Sequence, residues 1–117
     1  MAPKRTLHLA DPGPLVSRTH ETSSGTRVRL RLTRPSDAPR VAEFLPEGAD
    51  VERFTYFDPR RRLVLAATRP ATGGEEVVGL GEVDFENGAQ AIETDPQEGV
   101  DELLCGALDH LARSRAA

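Results

Sequence analysis

This chain of 117 residues has one cysteine, one tyrosine, one lysine and no tryptophan. A lone thiol, Cys105, excludes an internal disulfide and any zinc site built on several cysteines. His8, His20 and His110 stand far apart, without the HxxxH or HxH spacing of a metal site, so no metal is expected. No stretch approaches the roughly eighteen consecutive apolar residues of a membrane helix, and "MAPKRTLHLADPGP" lacks a hydrophobic run long enough for a secretory signal. A cytoplasmic protein without membrane contact is the expectation. With four Phe and no Trp, the core falls to Val, Leu and Ala. The formal net charge of −4 leaves no basic excess with which to replace phosphate counterions, so nucleic acid is not an expected partner.

The chain has the length of one small domain. Residues 1 to 14 mix Pro, Lys, Arg and Asp without a period and read as a flexible N-terminal tail; residues 15 to 117 read as the domain. "LVSRTHET" can form a short strand and "SSG" a turn. "TRVRLRL" alternates, with Val28, Leu30 and Leu32 inward and Arg27, Arg29 and Arg31 on an exposed face able to pair with acids of a neighbouring strand. "RPSDAPRVAEFL" begins a helix near Ser36, with Ser36 or Asp37 as N-cap and Ala38, Val41, Ala42, Phe44 and Leu45 on one stripe, ending at Pro46. "ADVERFTYFD" offers Asp50 as the cap of a second, short helix bearing Val51, Phe54 and Phe57.

"RLVLAATR", "PATGGEE" and "VVGLGEVDF" read as strand, turn and strand, an antiparallel hairpin. Gly79 and Gly81 announce a bulge or a close backbone approach. Asn87-Gly88 marks another hairpin turn, leading into the strand "AQAIETD". Val100, Leu103, Leu104, Ala107, Leu108 and Leu111 then recur at helical spacing. Strands and helices in this order give an α+β class, mainly antiparallel, with about three helices.

The order of elements, with "GTRVRLRLTRPSDAPRVAEFL" and "RLVLAATRPATGGEEVVGLGEVDF", resembles the N-terminal half of a GNAT-superfamily N-acetyltransferase, in the manner of the bacterial protein-lysine acetyltransferases. The resemblance spans about residues 24 to 115. It implies an acyl-CoA N-acyltransferase fold with acetyl-CoA as cofactor. It further implies a Gln/Arg-x-x-Gly-x-Gly/Ala turn before the third helix, whose backbone N–H groups hold the coenzyme A pyrophosphate. The matching stretch here is Gln97, Glu98, Gly99, Val100, Asp101 and Glu102, in which the fourth and sixth positions hold Val100 and Glu102 and the glycine comes one residue early. A pyrophosphate docked there would meet three carboxylates, each pair repelling by about 1 to 4 kcal/mol at 4 Å, against about 0.3 to 1 kcal/mol regained from the helix dipole. Repulsion wins, and the acids read as helix-end residues.

The resemblance also implies an Ala-Glu pair at the start of the strand before that helix, the Glu acting as general base. Ala89-Gln90 stands in its place, and an amide cannot take the proton. Glu93 and Glu82 are the substitute candidates, each read first as a solvated strand carboxylate. The family continues beyond the third helix with further strands and a helix, so the expectation is a domain lacking those C-terminal strands. Its open strand edge and last helix would then be covered by a second copy or another protein, or else by residues 7 to 20 folding back.

Cys105 falls off the apolar face of the last helix and, without a positioned base, reads as an ordinary thiol. "PRRRL", residues 59 to 63, reads as a solvated basic cluster together with Arg53 and Arg69. Two functions follow. The first is a degenerate, non-catalytic GNAT-like domain acting in binding or assembly, with no cofactor expected; the alternative is an acetyl-CoA-dependent N-acetyltransferase of protein lysines or small amines, completed by a partner chain.

Overall fold

A computed structural model describes residues 19–94 and 99–116. The expected N-terminal tail and the first part of the stretch read as the opening strand lie outside the described residues. Five strands run in chain order across one antiparallel sheet: β1 (Thr19–Glu21), β2 (Arg27–Leu32), β3 (Arg62–Ala71), β4 (Gly74–Asp84) and β5 (Ala89–Thr94). Between β2 and β3 lie a 3-10 turn (Pro35–Asp37), helix α1 (Ala38–Phe44) and helix α2 (Val51–Thr55); helix α3 (Val100–Ala116) follows β5. This is the α+β architecture the sequence implies, and no helix among the described residues is long and apolar enough to cross a membrane.

The sheet is covered on both faces. Alternation in β3 sends Leu63, Leu65 and Ala67 toward α3, where they join Val28, Leu30, Leu104, Leu108 and Leu111. Val64 and Ala66 point the other way and pack with Val41, Leu45, Val77 and Leu80 under α1 and α2. Burying each large aliphatic side chain contributes about 1.5 to 3 kcal/mol before the entropy of ordering is set against it. Of the α3 stripe, Val100, Leu104, Ala107, Leu108 and Leu111 are fully buried and Leu103 partly so. The stripe is therefore spent on the sheet; the expectation that this helix has apolar surface left for a partner is corrected.

Both readings of the β4 glycines hold. The register shifts between Ala67 and Thr68, which pair with Gly79 and Val77, so Val78 is the extra residue of a bulge. A Cβ on Gly79 would lie 2.9 Å from both Leu104 Cδ1 and Val100 Cγ1, and one on Gly81 3.1 Å from Leu108 Cδ1. Lacking side chains, these positions let α3 settle directly on the strand.

The first helices depart from expectation. Asp37 does not cap α1 with its side chain; it is 1% exposed and its Oδ2 accepts the Arg34 backbone N–H at 2.8 Å. Ala42, placed on the apolar stripe by its spacing, is exposed. Asp50 caps α2 as read, accepting from the Arg53 N–H at 3.3 Å. That helix ends at Thr55, short of Phe57, with Tyr56 extended. The Arg62 guanidinium donates to the carbonyls of Arg53 and Tyr56 at 2.8 and 3.3 Å, meeting acceptors that the end of the helix leaves free.

Candidate functional site

The strand carboxylates named as substitute bases are brought to the same face by strand pairing. Glu82 stands opposite Ala91 and Glu93 opposite Leu80, so both project toward α1 and α2. Their surroundings differ. Glu93 is exposed, as read, and lines a shallow cavity of about 450 Å³ with Arg40, Glu43 and Glu76. Glu82 is 5% exposed, which corrects its reading as a solvated group. Its Oε2 accepts from Arg53 at 2.7 Å and from Arg62 at 3.1 Å. A cationic amine seeking that oxygen would have to displace one of two guanidinium groups.

Gln90 faces the other way, toward α3, where its Nε2 donates to Asp109 Oδ1 at 3.1 Å. The residue that stands where the resemblance implies a base is thus a tie between β5 and the last helix.

At the mouth of α3, Gln97 and Glu98 lie outside the described residues. Gly99 has a positive φ of 69°, and a Cβ there would come within 3.1 Å of Ser24 Oγ and 3.3 Å of Ser23 Oγ. The turn is pressed against the β1–β2 hairpin, where Thr22, Ser24 and Thr26 hydroxyls hydrogen-bond to one another. Val100, the fourth residue of the expected phosphate turn, is wholly buried, its Cγ1 against Gly79. Asp101 and Glu102 are exposed in the first helical turn, where carboxylates complement the helix dipole. Val100 is thus a core residue, and two carboxylates follow it in the first turn of the helix.

The strand alternation missed a second ionic cluster. Arg31, expected on a solvated face, has a side chain only 12% exposed. It forks onto Asp37, Nη1 to Oδ2 at 2.8 Å and Nη2 to Oδ1 at 2.7 Å, and also reaches Glu75 through Nε at 3.1 Å. Thr68 Oγ1 donates to the other oxygen of Glu75 at 3.0 Å. The Arg31 hydrogen bonds hold the Asp37 carboxyl below the usual carboxylate range in spite of its burial. Burial alone would raise Glu75, but the bonds from Arg31 and Thr68 outweigh it and its pKa is lowered too; Arg31 in turn is raised, chiefly by Asp37. The cluster ties β2, the 3-10 turn and β4 together. No feature of the alternation separates Arg31 from Arg27 and Arg29; the available signal is Asp37, an acid six residues on and just past a proline.

The basic cluster at residues 59 to 63 is not simply solvated. Arg60 pairs with Asp58, Arg61 with Glu86 and Arg62 with Glu82, and the Arg62 guanidinium sits over the Phe57 ring at 5.9 Å. Cys105 is exposed as read. Among the described residues no group of three or more His, Cys, Asp or Glu side chains could hold a metal ion.

No protein-family model matches the sequence, and no curated protein matches it. Among solved structures, the chain is similar to the crystal structure of the GNAT domain of S. lividans PAT, with a TM-score of 0.68, 24% identity, and coverage of 84% of this chain and 72% of that one. The chain therefore has the GNAT fold.

Proposed function

We propose that this is a GNAT-fold domain that has exchanged acetyl-CoA chemistry for binding and assembly. The observation that carries the reading is the mouth of α3, where Val100 fills the core against Gly79 while Asp101 and Glu102 occupy the first turn. A pyrophosphate there would face carboxylates, and opening the turn with glycine would remove a buried side chain. The engagement of Glu82 by Arg53 and Arg62 and the tie of Gln90 to Asp109 support the same reading. No cofactor enters it. The assembly would use β5, whose outer edge has no partner strand among the described residues; pairing with the β5 of a second copy across a two-fold axis satisfies that edge.

Thermal unfolding with acetyl-CoA and with coenzyme A tests the first half. A ligand at 100 times its Kd stabilises the protein by about 2.7 kcal/mol; no shift is expected, and a shift of that size overturns the reading. Light scattering over a concentration series tests the second half. A species of twice the chain mass is expected, and a 12.7 kDa species throughout would contradict it.

A further inference from the structure

A cavity of about 740 Å³ opens where β2 passes into the 3-10 turn, away from the serine turn that touches α3. Arg29, Arg34, Pro35, Tyr56, Phe57 and Pro59 frame it, and none of its described lining residues is acidic. Its arginines differ from those around them. Arg40, Arg53, Arg60, Arg61, Arg62 and Arg69 each reach a carboxylate at 3.6 Å or less. Arg29 and Arg34 are exposed and make no ion pair among the described residues; Arg34 donates its backbone N–H to Asp37, and its side chain adds only a charge interaction.

The other polar groups of the cavity are already committed. Thr33 Oγ1 donates to the Phe54 carbonyl at 2.6 Å and Thr55 Oγ1 to the Val51 carbonyl at 3.2 Å, while Arg31 is held by Asp37 and Glu75. The lining residues left uncommitted are Arg29 and Arg34, whose guanidinium geometry matches carboxylate and phosphate oxygens, beside the aromatic Tyr56 and Phe57. Tyr56 is the exposed large hydrophobic residue of the described chain, 58% accessible. Phe57 already has Arg62 over its ring, so ring contact falls to Tyr56.

We propose that this cavity binds a small aromatic anion, a carboxylate or a phosphate monoester, its charged end taken by Arg29 and Arg34 and its ring laid against Tyr56. The volume lies within the usual range of small-ligand sites, about 300 to 1,000 Å³. The site is independent of whether acetyl-CoA binds at α3.

Because the chain has a single tyrosine, the Tyr56 ring protons form one resolved NMR reporter, and the Arg34 amide is a second. The full chain is titrated with benzoate, phenyl phosphate, inorganic phosphate and benzyl alcohol. Benzoate or phenyl phosphate is expected to shift both reporters saturably, and the tighter of the two identifies the anion. Inorganic phosphate is expected to bind at least about tenfold more weakly than phenyl phosphate, and benzyl alcohol not saturably. Arg29→Gln and Arg34→Gln are each expected to weaken the aromatic anion about tenfold, one charged hydrogen-bonding group being lost. Unchanged thermal midpoints verify that these exposed substitutions leave the fold intact. The proposal is overturned if neither aromatic anion saturates, if benzyl alcohol or inorganic phosphate binds as tightly, or if either variant keeps its affinity.

Discussion

The two faces of this sheet are built on different principles. Against α3 the contacts are aliphatic, with Leu104 and Val100 seated on Gly79 and Leu108 on Gly81. Against α1 and α2 the aliphatic cluster is flanked by two ionic centres, Arg31 with Asp37 and Glu75, and Glu82 with Arg53 and Arg62. The first kind of face depends on shape and tolerates changes of pH. The second depends on charges that must be complete, since a buried ion left without its partner costs far more than the pair contributes.

The largest effect is expected from Arg31→Leu, which strands Asp37 in a buried position. Loss of such a partner costs about 3 to 5 kcal/mol, readable as a lower urea midpoint. Leu104→Ala, on the α3 face, is expected to cost about 2 to 5 kcal/mol through lost burial and a residual cavity, but without altering the pH dependence. Gly79→Ala places a Cβ where Leu104 and Val100 already stand and is expected to cost about 1 to 3 kcal/mol by overpacking. Arg53→Gln is expected to cost about 1 kcal/mol or less, because the Arg53 side chain is half exposed and Arg62 still meets Glu82.

Acid sharpens the contrast between the faces. Asp37 and Glu75 have folded pKa values below their unfolded ones. Their contribution is complete above the ordinary carboxylate range, near pH 4, and is lost as pH falls through the lowered folded values. Urea unfolding at stepped pH should therefore show the native protein losing stability below about pH 4. Arg31→Leu should flatten that loss and Leu104→Ala should leave it intact; identical slopes in all three proteins would contradict the assignment of the acid response to this cluster.

The α3 face was legible in the sequence because a helical period of aliphatics and two strand glycines have few alternative meanings. Val100, Leu104, Leu108 and Leu111 face the core as the spacing requires, and the Asn87-Gly88 pair joins β4 to β5. The ionic face was not legible. A strand reading "RVRLRL" places all three arginines alike on an exposed face able to pair with acids of a neighbouring strand, and only the approach of the 3-10 turn and β4, distant in sequence, singles out Arg31. Glu82 was misjudged for the same reason, its partners lying on α2 and β3. Periodicity reports which face a residue joins; it does not report what covers that face. The acids of the α3 mouth were readable from the sequence, whereas the role of Val100 as a core residue needed the packing.

Backbone amide shifts of Gly99, Val100, Asp101 and Glu102 during an acetyl-CoA titration test the proposed loss of cofactor binding most directly, since these are the N–H groups a pyrophosphate would engage. The shifts are predicted to stay unchanged up to millimolar acetyl-CoA. A saturable movement of these four amides with a micromolar midpoint would contradict the reading and return the protein to acetyl-CoA chemistry.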